Sequence, residues 1–135
     1  MTAGVALLPT AYSLLPTKLM TEQDCIFCRV ASGDVRADII FQDDRCLVFR
    51  DINPQAPVHV LIIPREHFES LDEAGRGDEP VLGHMLRVAA RVANDEGLAE
   101  SGYRTVINTG AGAGQSVMHL HLHVLGGRQL NWPPG

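Results

Sequence analysis

The chain lacks the features that mark several protein classes. Three cysteines and the absence of a secretion signal argue against a disulfide-stabilised secreted fold. The formal net charge is −5, whereas a general nucleic-acid-binding surface is basic. No apolar run is long enough and unbroken enough to cross a bilayer. We therefore expect a cytoplasmic protein that binds neither nucleic acid nor membrane, with room for one small ligand in a local pocket.

The beginning of the chain differs from the remainder. Residues 1–19 are apolar, but Pro9 and Pro16 interrupt them, and they lack the basic start of a signal peptide. Met20 resembles a second start. We expect residues 1–23 to be a disordered extension or an over-called start, and residues 24–135 to form one domain around a single core.

The hydrophobic pattern predicts an α+β fold with a mainly antiparallel sheet. Strands are expected over residues 39–41, 46–49, 58–63, 103–108 and 117–125. A short helix is expected over residues 25–32, and Gly33 ends it. A long helix is expected to begin with Asp78 as its cap and Pro80 in its first turn, and to end at Gly97. Its predicted core face comprises Val81, Leu82, Met85, Leu86, Ala89, Val92 and Ala93.

Three histidines alternate with apolar residues near the end of the chain, at positions 119, 121 and 123. On a strand, alternate side chains share one face, so the three imidazoles would lie together. Packing does not require such a row, because buried polar groups cost free energy unless they find partners. The row therefore predicts a site for metal binding or for nucleophilic or acid–base chemistry.

A glycine-rich loop opens directly onto this row. Residues 110–116 read Gly-Ala-Gly-Ala-Gly-Gln-Ser. Small residues let a backbone approach a ligand and present N–H groups to an anion. The spacing is not that of a dinucleotide or Walker loop, and by itself it indicates only a turn. Beside three histidines, it predicts a phosphate held next to an imidazole, with Gln115 and Ser116 as donors through their backbone N–H groups.

The Cys25-x-x-Cys28 pair has three interpretations: a redox pair, half of a zinc site, or two small buried residues. The thioredoxin-like βαβ context of a redox pair is missing. Zinc would need two further ligands, and histidine is the available type. Cys46 lies within an apolar strand and is expected in the core.

Residues 119–125 follow the histidine-triad pattern His-φ-His-φ-His-φ-φ, where φ is apolar. Four further segments resemble the Hint branch of that family, the histidine-triad nucleotide-binding proteins; they are residues 51–59, 63–67, 114–117 and 126–135. The similarity extends from about Asp24 to Gly135. It implies a HIT-like fold with about five strands, one long and one short helix, and a sheet that continues across a homodimer.

The resemblance also implies a reaction, the hydrolysis of a purine nucleoside phosphoramidate, in which AMP or GMP is joined to an amine. His121 would be the nucleophile and would form a nucleotidyl-histidine intermediate. His59 and His123 would orient and polarise it, and His119 would be structural or a supporting donor. Ser116 would bond the leaving nitrogen or a phosphate oxygen. No cofactor is required for this catalysis.

The same resemblance implies the nucleotide site. Asp51 would bind the ribose, although the sequence alone favours a turn role for it before Asn53-Pro54. Trp132 would either pack within its own tail or reach the partner's site and tune substrate choice. The full set of implied nucleotide contacts is Ile26, Phe27, Phe49, Asp51, Ile52, Asn108, Gly114, Gln115, Ser116, His121, His123 and Trp132.

A structural zinc ion is the cofactor that the resemblance allows. Its ligands would be Cys25, Cys28, His67 and His119. Two alternatives to the phosphoramidase stay open at this point. One is a zinc-dependent hydrolase that uses His119 and His121 together with His59. The other is a nucleotide-binding scaffold with little catalysis of its own.

Overall fold

The computed structural model of the chain describes residues 24–135, so the expected N-terminal extension lies outside the described part. Two helices and five strands occur within these residues, in the order α1 (Ile26–Ser32), β1 (Ile39–Gln42), β2 (Cys46–Arg50), β3 (Val58–Pro64), α2 (Glu79–Asp95), β4 (Tyr103–Val106) and β5 (Leu122–Gly126). Neither helix is long and apolar enough to cross a membrane.

The five strands form one antiparallel sheet in the order β1-β2-β3-β5-β4. The α+β class and the antiparallel sheet of five strands are therefore confirmed. Strands β3 and β5 lie at the centre, with His59 opposite Leu125 and Leu61 opposite His123. Strand β4 is an outer edge of the sheet.

Two apolar clusters divide the strand residues between them. Because successive side chains of a strand point to opposite faces, neighbours such as Leu61 and Ile62 enter different clusters. One cluster packs against α2 and includes Cys46, which is fully buried as expected. The other packs against α1 and contains Phe27, Val30, Leu47, Phe49, Leu61 and Ile63. This second face, under α1, carries the histidines.

The helix ends largely follow the sequence signals. Gly33 ends α1 with φ +89°, and Gly97 follows α2 with φ +81°, both in the left-handed region that favours glycine. Pro80 occupies the first turn of α2 as expected. Asp78 stands at the cap position, but its carboxylate accepts the Gly75 N–H at 2.7 Å. The predicted side-chain cap of α2 is therefore wrong, and Asp78 closes the preceding turn instead.

The last strand is shorter than predicted, because β5 begins at Leu122 rather than at residue 117. Continuing the antiparallel register would place Pro64 opposite Leu120. Proline has no N–H for a ladder bond, and the Pro64 carbonyl is already occupied by the His119 ring at 2.9 Å. The Leu120 N–H donates to Phe68 O instead, at 2.7 Å. Strand β4 likewise ends at Val106 rather than at residue 108.

The predicted core face of α2 is correct at six of its seven positions, and it omits Val88, which is also buried. Met85, Ala89, Val92 and Ala93 are buried, and Val81 and Leu82 pack partly against the core. Leu86 is 53% exposed. It lines a shallow apolar depression together with Leu71, Leu82, Met85, Ile107 and Leu122.

An unpredicted contact ties α2 to the β1–β2 turn. His84 Nε2 lies 2.6 Å from Asp43 Oδ2, and Arg45 donates to His84 Nδ1 at 2.9 Å. Burial raises the pKa of Asp43, but hydrogen bonds from the N–H groups of Arg45 and Cys46 and from His84 outweigh burial and lower it to about 2. The ionised carboxylate therefore stabilises the folded state.

We expect Asp43→Asn to lower the free energy of unfolding by about 1–2 kcal/mol near neutral pH. The pKa is lower in the folded chain than in the unfolded chain. This contribution is therefore complete above about pH 4 and is lost as the pH falls toward about 2. Urea denaturation at several pH values measures the difference between variant and wild type. Asp44→Asn, a neighbouring exposed carboxylate, is the matched control. Equal effects of the two substitutions would contradict the assignment.

Candidate active site

The three histidines share one side of the chain segment, although only His123 lies within β5. The phenyl ring of Phe27 from α1 meets His119 and His121 edge-on, with ring centroids 6.0 and 5.2 Å apart. The apolar residues that follow each histidine, Leu120, Leu122 and Val124, enter the cluster under α2. The predicted alternation therefore holds even where the backbone is not a strand.

His121 is buried, and its proton is located by a backbone group. Its Nδ1 lies 2.7 Å from the carbonyl oxygen of His119. A carbonyl oxygen can only accept, so the proton is on Nδ1. In the neutral ring, Nε2 then carries the lone pair. His121 lines a cavity beside α1, and Nε2 is the ring nitrogen that remains for a ligand there.

His59 and His123 form a hydrogen-bonded pair whose direction is also fixed by the backbone. The Gln55 N–H donates to His59 Nδ1 at 3.0 Å, so His59 carries its proton on Nε2. That nitrogen lies 2.9 Å from His123 Nδ1, which must then accept. Neutral His123 consequently has its proton on Nε2, and it also lines the cavity.

Burial keeps both rings neutral near physiological pH. It lowers the pKa of His59, while the Asp51 carboxylate, 3.4 Å from His59 Nε2, acts in the opposite direction. Burial and the neighbouring His121 and His59 lower the pKa of His123 to about 4. The pair is therefore a hydrogen bond between two neutral imidazoles, donated by His59 and accepted by His123, rather than an ion pair. We call this pair the His59–His123 relay.

The cavity has a volume of about 380 Å³, with a wall that is apolar apart from a few groups. Eight of the expected nucleotide contacts line it: Ile26, Phe27, Phe49, Asp51, Ile52, Ser116, His121 and His123. Sequence reasoning missed Val30, Val35, Arg36, Ala37, Arg50, Leu61 and Val117. Alternation along the strands could have suggested Leu61, two residues after His59 on the same face.

Asp51 has the turn role that the sequence alone favours, and it also lies on the cavity wall. Its Oδ1 accepts the Asn53 N–H at 2.8 Å. Its Oδ2 is the atom near His59. Oδ1 of Asp51 thus stabilises the turn at Asn53, whereas Oδ2 lies next to His59.

Asn108, Gly114, Gln115 and Trp132 do not line this cavity. The Gln115 N–H donates to Gly110 O at 3.1 Å, so the expectation that it faces a phosphate is wrong. The Gln115 side chain bonds Gly110 N–H, Glu69 O and Val117 O and holds the glycine loop closed. Within residues 24–135 the Ser116 N–H has no hydrogen-bond partner, so it remains available to an anion.

Trp132 is 80% exposed. The guanidinium of Arg104 lies 5.9 Å from the centre of its ring. Its implied contact with a partner's site stays a prediction.

The thiols of Cys25 and Cys28 and the imidazoles of His67 and His119 form a second group of side chains, which we call the thiol cluster. His119 Nδ1 lies 3.4 Å from Cys25 Sγ, 3.5 Å from Cys28 Sγ and 3.1 Å from His67 Nδ1. The four ligand atoms all lie within 4.8 Å of one another. His119 Nε2 is 2.9 Å from Pro64 O, so its proton is there and Nδ1 directs a lone pair at the thiols.

This donor set fits a tetrahedral zinc ion with two sulfur and two nitrogen ligands. Burial lowers the pKa of His119 to about 4, which keeps the ring neutral as a ligand must be. The geometry does not favour the zinc hydrolase alternative, because His119 Nε2 bonds Pro64 O and Nδ1 faces the two thiols, so both nitrogens have partners other than His121 and His59.

Comparison with known proteins agrees with this geometry. The HIT domain family model matches residues 32–130. An uncharacterized HIT-like protein of Synechococcus elongatus is 52% identical over 113 residues, which cover 84% of this chain and 98% of that protein.

Two solved structures have similar folds. A HIT family hydrolase from Legionella pneumophila has a TM-score of 0.81 and 49% identity, covering 82% of this chain and 99% of that one. A histidine triad nucleotide-binding protein from Candida albicans has a TM-score of 0.71 and 30% identity, covering 81% and 82%. The match over most of the chain, the shared fold and the histidine arrangement lead to one conclusion: the chain belongs to the HIT domain family.

Proposed function

We propose that the protein is a hydrolase of purine nucleoside phosphoramidates, of the kind found in the Hint branch. The observation that carries this proposal is the hydrogen bond from His121 Nδ1 to the His119 carbonyl, which leaves Nε2 for attack in the cavity wall. The similarity to a structure named a HIT family hydrolase and to one named a nucleotide-binding protein supports both halves of the assignment.

In the first step, the Nε2 lone pair of His121 attacks phosphorus, and the P–N bond breaks. The leaving nitrogen takes up one proton from solvent water, and the neutral amine departs. The Ser116 hydroxyl bonds the leaving nitrogen or a phosphate oxygen, and the Ser116 N–H and His123 Nε2–H donate to phosphate oxygens as charge develops. Water then attacks phosphorus and loses a proton to solvent, and the bond between phosphorus and His121 Nε2 breaks, which releases the nucleoside monophosphate and restores His121. The covalent intermediate divides one difficult displacement into two easier ones.

The remaining cavity wall suits a nucleoside. Ile26, Phe27 and Phe49 offer apolar surface for a purine. Asp51 Oδ2 would accept hydrogen bonds from the ribose hydroxyls. Asn108, Gly114 and Gln115 would act around this pocket rather than in its wall; Gln115 does so by holding the loop that carries Ser116.

We also propose that Cys25, Cys28, His67 and His119 hold a structural zinc ion. The ion would supply a closed tetrahedral centre with no open position for substrate. His119 would serve it through Nδ1, while the His119 carbonyl orients His121. The residues of the centre would thereby fix the segment from which the nucleophile projects.

A second copy of the chain is the proposed occupant of the β4 edge and the adjoining apolar depression. Within residues 24–135 no further strand pairs with the outer side of β4, and a two-fold axis would let two such strands pair in antiparallel fashion. Leu71, Leu86 and Ile107 lie in the depression, whose lining is wholly apolar. Joining two sheets in this way would bury both features at once.

His121→Ala should reduce turnover of an adenosine phosphoramidate by a factor of at least about 10³, because the attacking atom is lost. AMP binding, measured by calorimetry, should remain. His84→Ala, a histidine outside the cavity, is the control and should keep wild-type turnover. Mass spectrometry of wild type trapped with substrate should show one nucleotidyl group on the His121 peptide. AMP binding without turnover by wild type would instead favour the scaffold alternative.

Protein purified without chelator should contain about one zinc ion per chain by elemental analysis. Cys28→Ala should lose most of it, whereas Cys46→Ala, which alters the core thiol, should retain it. Removing the metal should lower the melting temperature, because binding energy at such a site contributes to folding. Wild-type protein free of zinc, with an unchanged melting temperature after zinc is added, would contradict the proposed centre.

Leu86→Glu should convert a dimer to a monomer at micromolar concentration, because a charge would enter the apolar depression. Light scattering measures the mass. Arg91→Glu places the same side chain on the part of α2 that stacks over Phe41 of β1, and it should leave the dimer intact. A monomeric wild type would overturn the proposed interface.

A further inference from the structure

The turn that follows β5 lies tightly against the loop that precedes β3. Gly127 has φ +92°, and a Cβ built on it would come within 2.9 Å of Pro57 Cβ. The next residue, Arg128, donates from Nε to the Gln55 carbonyl at 3.0 Å and from Nη1 to the Gln129 carbonyl at 3.0 Å. The C-terminal tail is therefore fixed to the loop before β3 in two ways, by the packing of Gly127 against Pro57 and by the hydrogen bond from Arg128 to Gln55.

The loop residue that Arg128 holds is the one that directs the His59–His123 relay. Both backbone groups of Gln55 are occupied, the carbonyl by Arg128 and the N–H by His59 Nδ1 at 3.0 Å. The Gln55 side chain is directed elsewhere and donates to Asn53 O. The position of the Gln55 backbone, and not its side chain, keeps the proton off Nδ1 of His59, and the Asp51 carboxylate 3.4 Å from Nε2 acts in the same sense.

We propose that Arg128 is a positioning residue for the reaction, because it keeps the Gln55 N–H on His59 and so fixes the direction of the relay. If the N–H withdrew, His59 could carry its proton on Nδ1 and present a lone pair at Nε2. His123 would then have to place its proton on Nδ1 to keep the 2.9 Å bond. Its Nε2 would offer a lone pair, which repels phosphate oxygens, where it had offered an N–H.

A second arginine that bonds to the tail, but does not belong to it, provides a comparison. Arg104 on β4 donates to the carbonyls of Leu130 and Asn131 and stacks on Trp132. It secures the end of the tail, and none of these three interactions involves Gln55. Loss of Arg104 should loosen the tail and leave the relay unchanged.

The test is the tautomer of each imidazole, read from long-range proton–nitrogen NMR correlations of ¹⁵N-labelled protein without substrate. Wild type should show His59 with its proton on Nε2 only. Arg128→Ala should show a mixture of both His59 tautomers, and Arg128→Lys, which retains one donor, should restore the single form. Arg104→Ala and Gln55→Ala should match wild type. Backbone amide spectra verify that each variant is folded.

The catalytic consequence rests on the proposed phosphoramidase, whereas the tautomer result does not. With that substrate, kcat of Arg128→Ala should fall about tenfold, by analogy with other residues that orient a functional histidine, and KM should change little. A single Nε2–H tautomer at His59 in Arg128→Ala would overturn the proposal whatever the activity. Equal tautomer mixing in Arg104→Ala would also overturn it, because the effect would then belong to the tail as a whole. Absent turnover in wild type would contradict the function alone.

Discussion

Backbone groups decide which nitrogen of each buried histidine carries its proton, and the chemistry of both centres depends on this constraint. The Pro64 carbonyl holds the proton on Nε2 of His119, the His119 carbonyl holds it on Nδ1 of His121, and the Gln55 N–H excludes it from Nδ1 of His59. Backbone donors and acceptors cannot exchange roles, whereas a neutral imidazole can. The fold therefore assigns lone pairs to the thiol cluster and to the cavity.

These assignments require backbone groups that the sheet does not use. Strand β3 ends at Pro64, which has no N–H, and β5 begins only at Leu122. His119 and His121 precede β5, where the ladder is interrupted. The carbonyl of Pro64 is therefore free to accept from the His119 ring, and the carbonyl of His119 is free to accept from the His121 ring. The alternation of histidines and apolar residues along the segment supplies the spacing of the imidazoles, and the interruption of the central ladder leaves the backbone carbonyls that bond His119 and His121.

Local signals explain what could be predicted from the sequence. The alternation of residue types correctly predicted that the histidines face one side and Leu120 and Leu122 the other. The glycines at 33 and 97 correctly predicted the helix ends. Both features depend only on a few neighbouring residues. The start of β5, the occupied N–H of Gln115 and the contact of His84 with Asp43 were missed. Each depends on a partner that the local pattern does not reveal, as with Asp43 and His84, which are 41 residues apart.

His121 and His123, the two histidines of the cavity, are oriented by hydrogen bonds from different parts of the chain. His121 depends on His119, whose ring belongs to the thiol cluster at α1 and whose carbonyl takes the His121 proton. His123 depends on His59, whose partner Gln55 is held by the tail after β5. In the proposed reaction His121 needs a lone pair at Nε2 and His123 needs a proton at Nε2, so the two adjacent rings must be protonated on different nitrogens. Separate anchoring achieves this, since one ring is set by an acceptor and the other, through His59, by a donor.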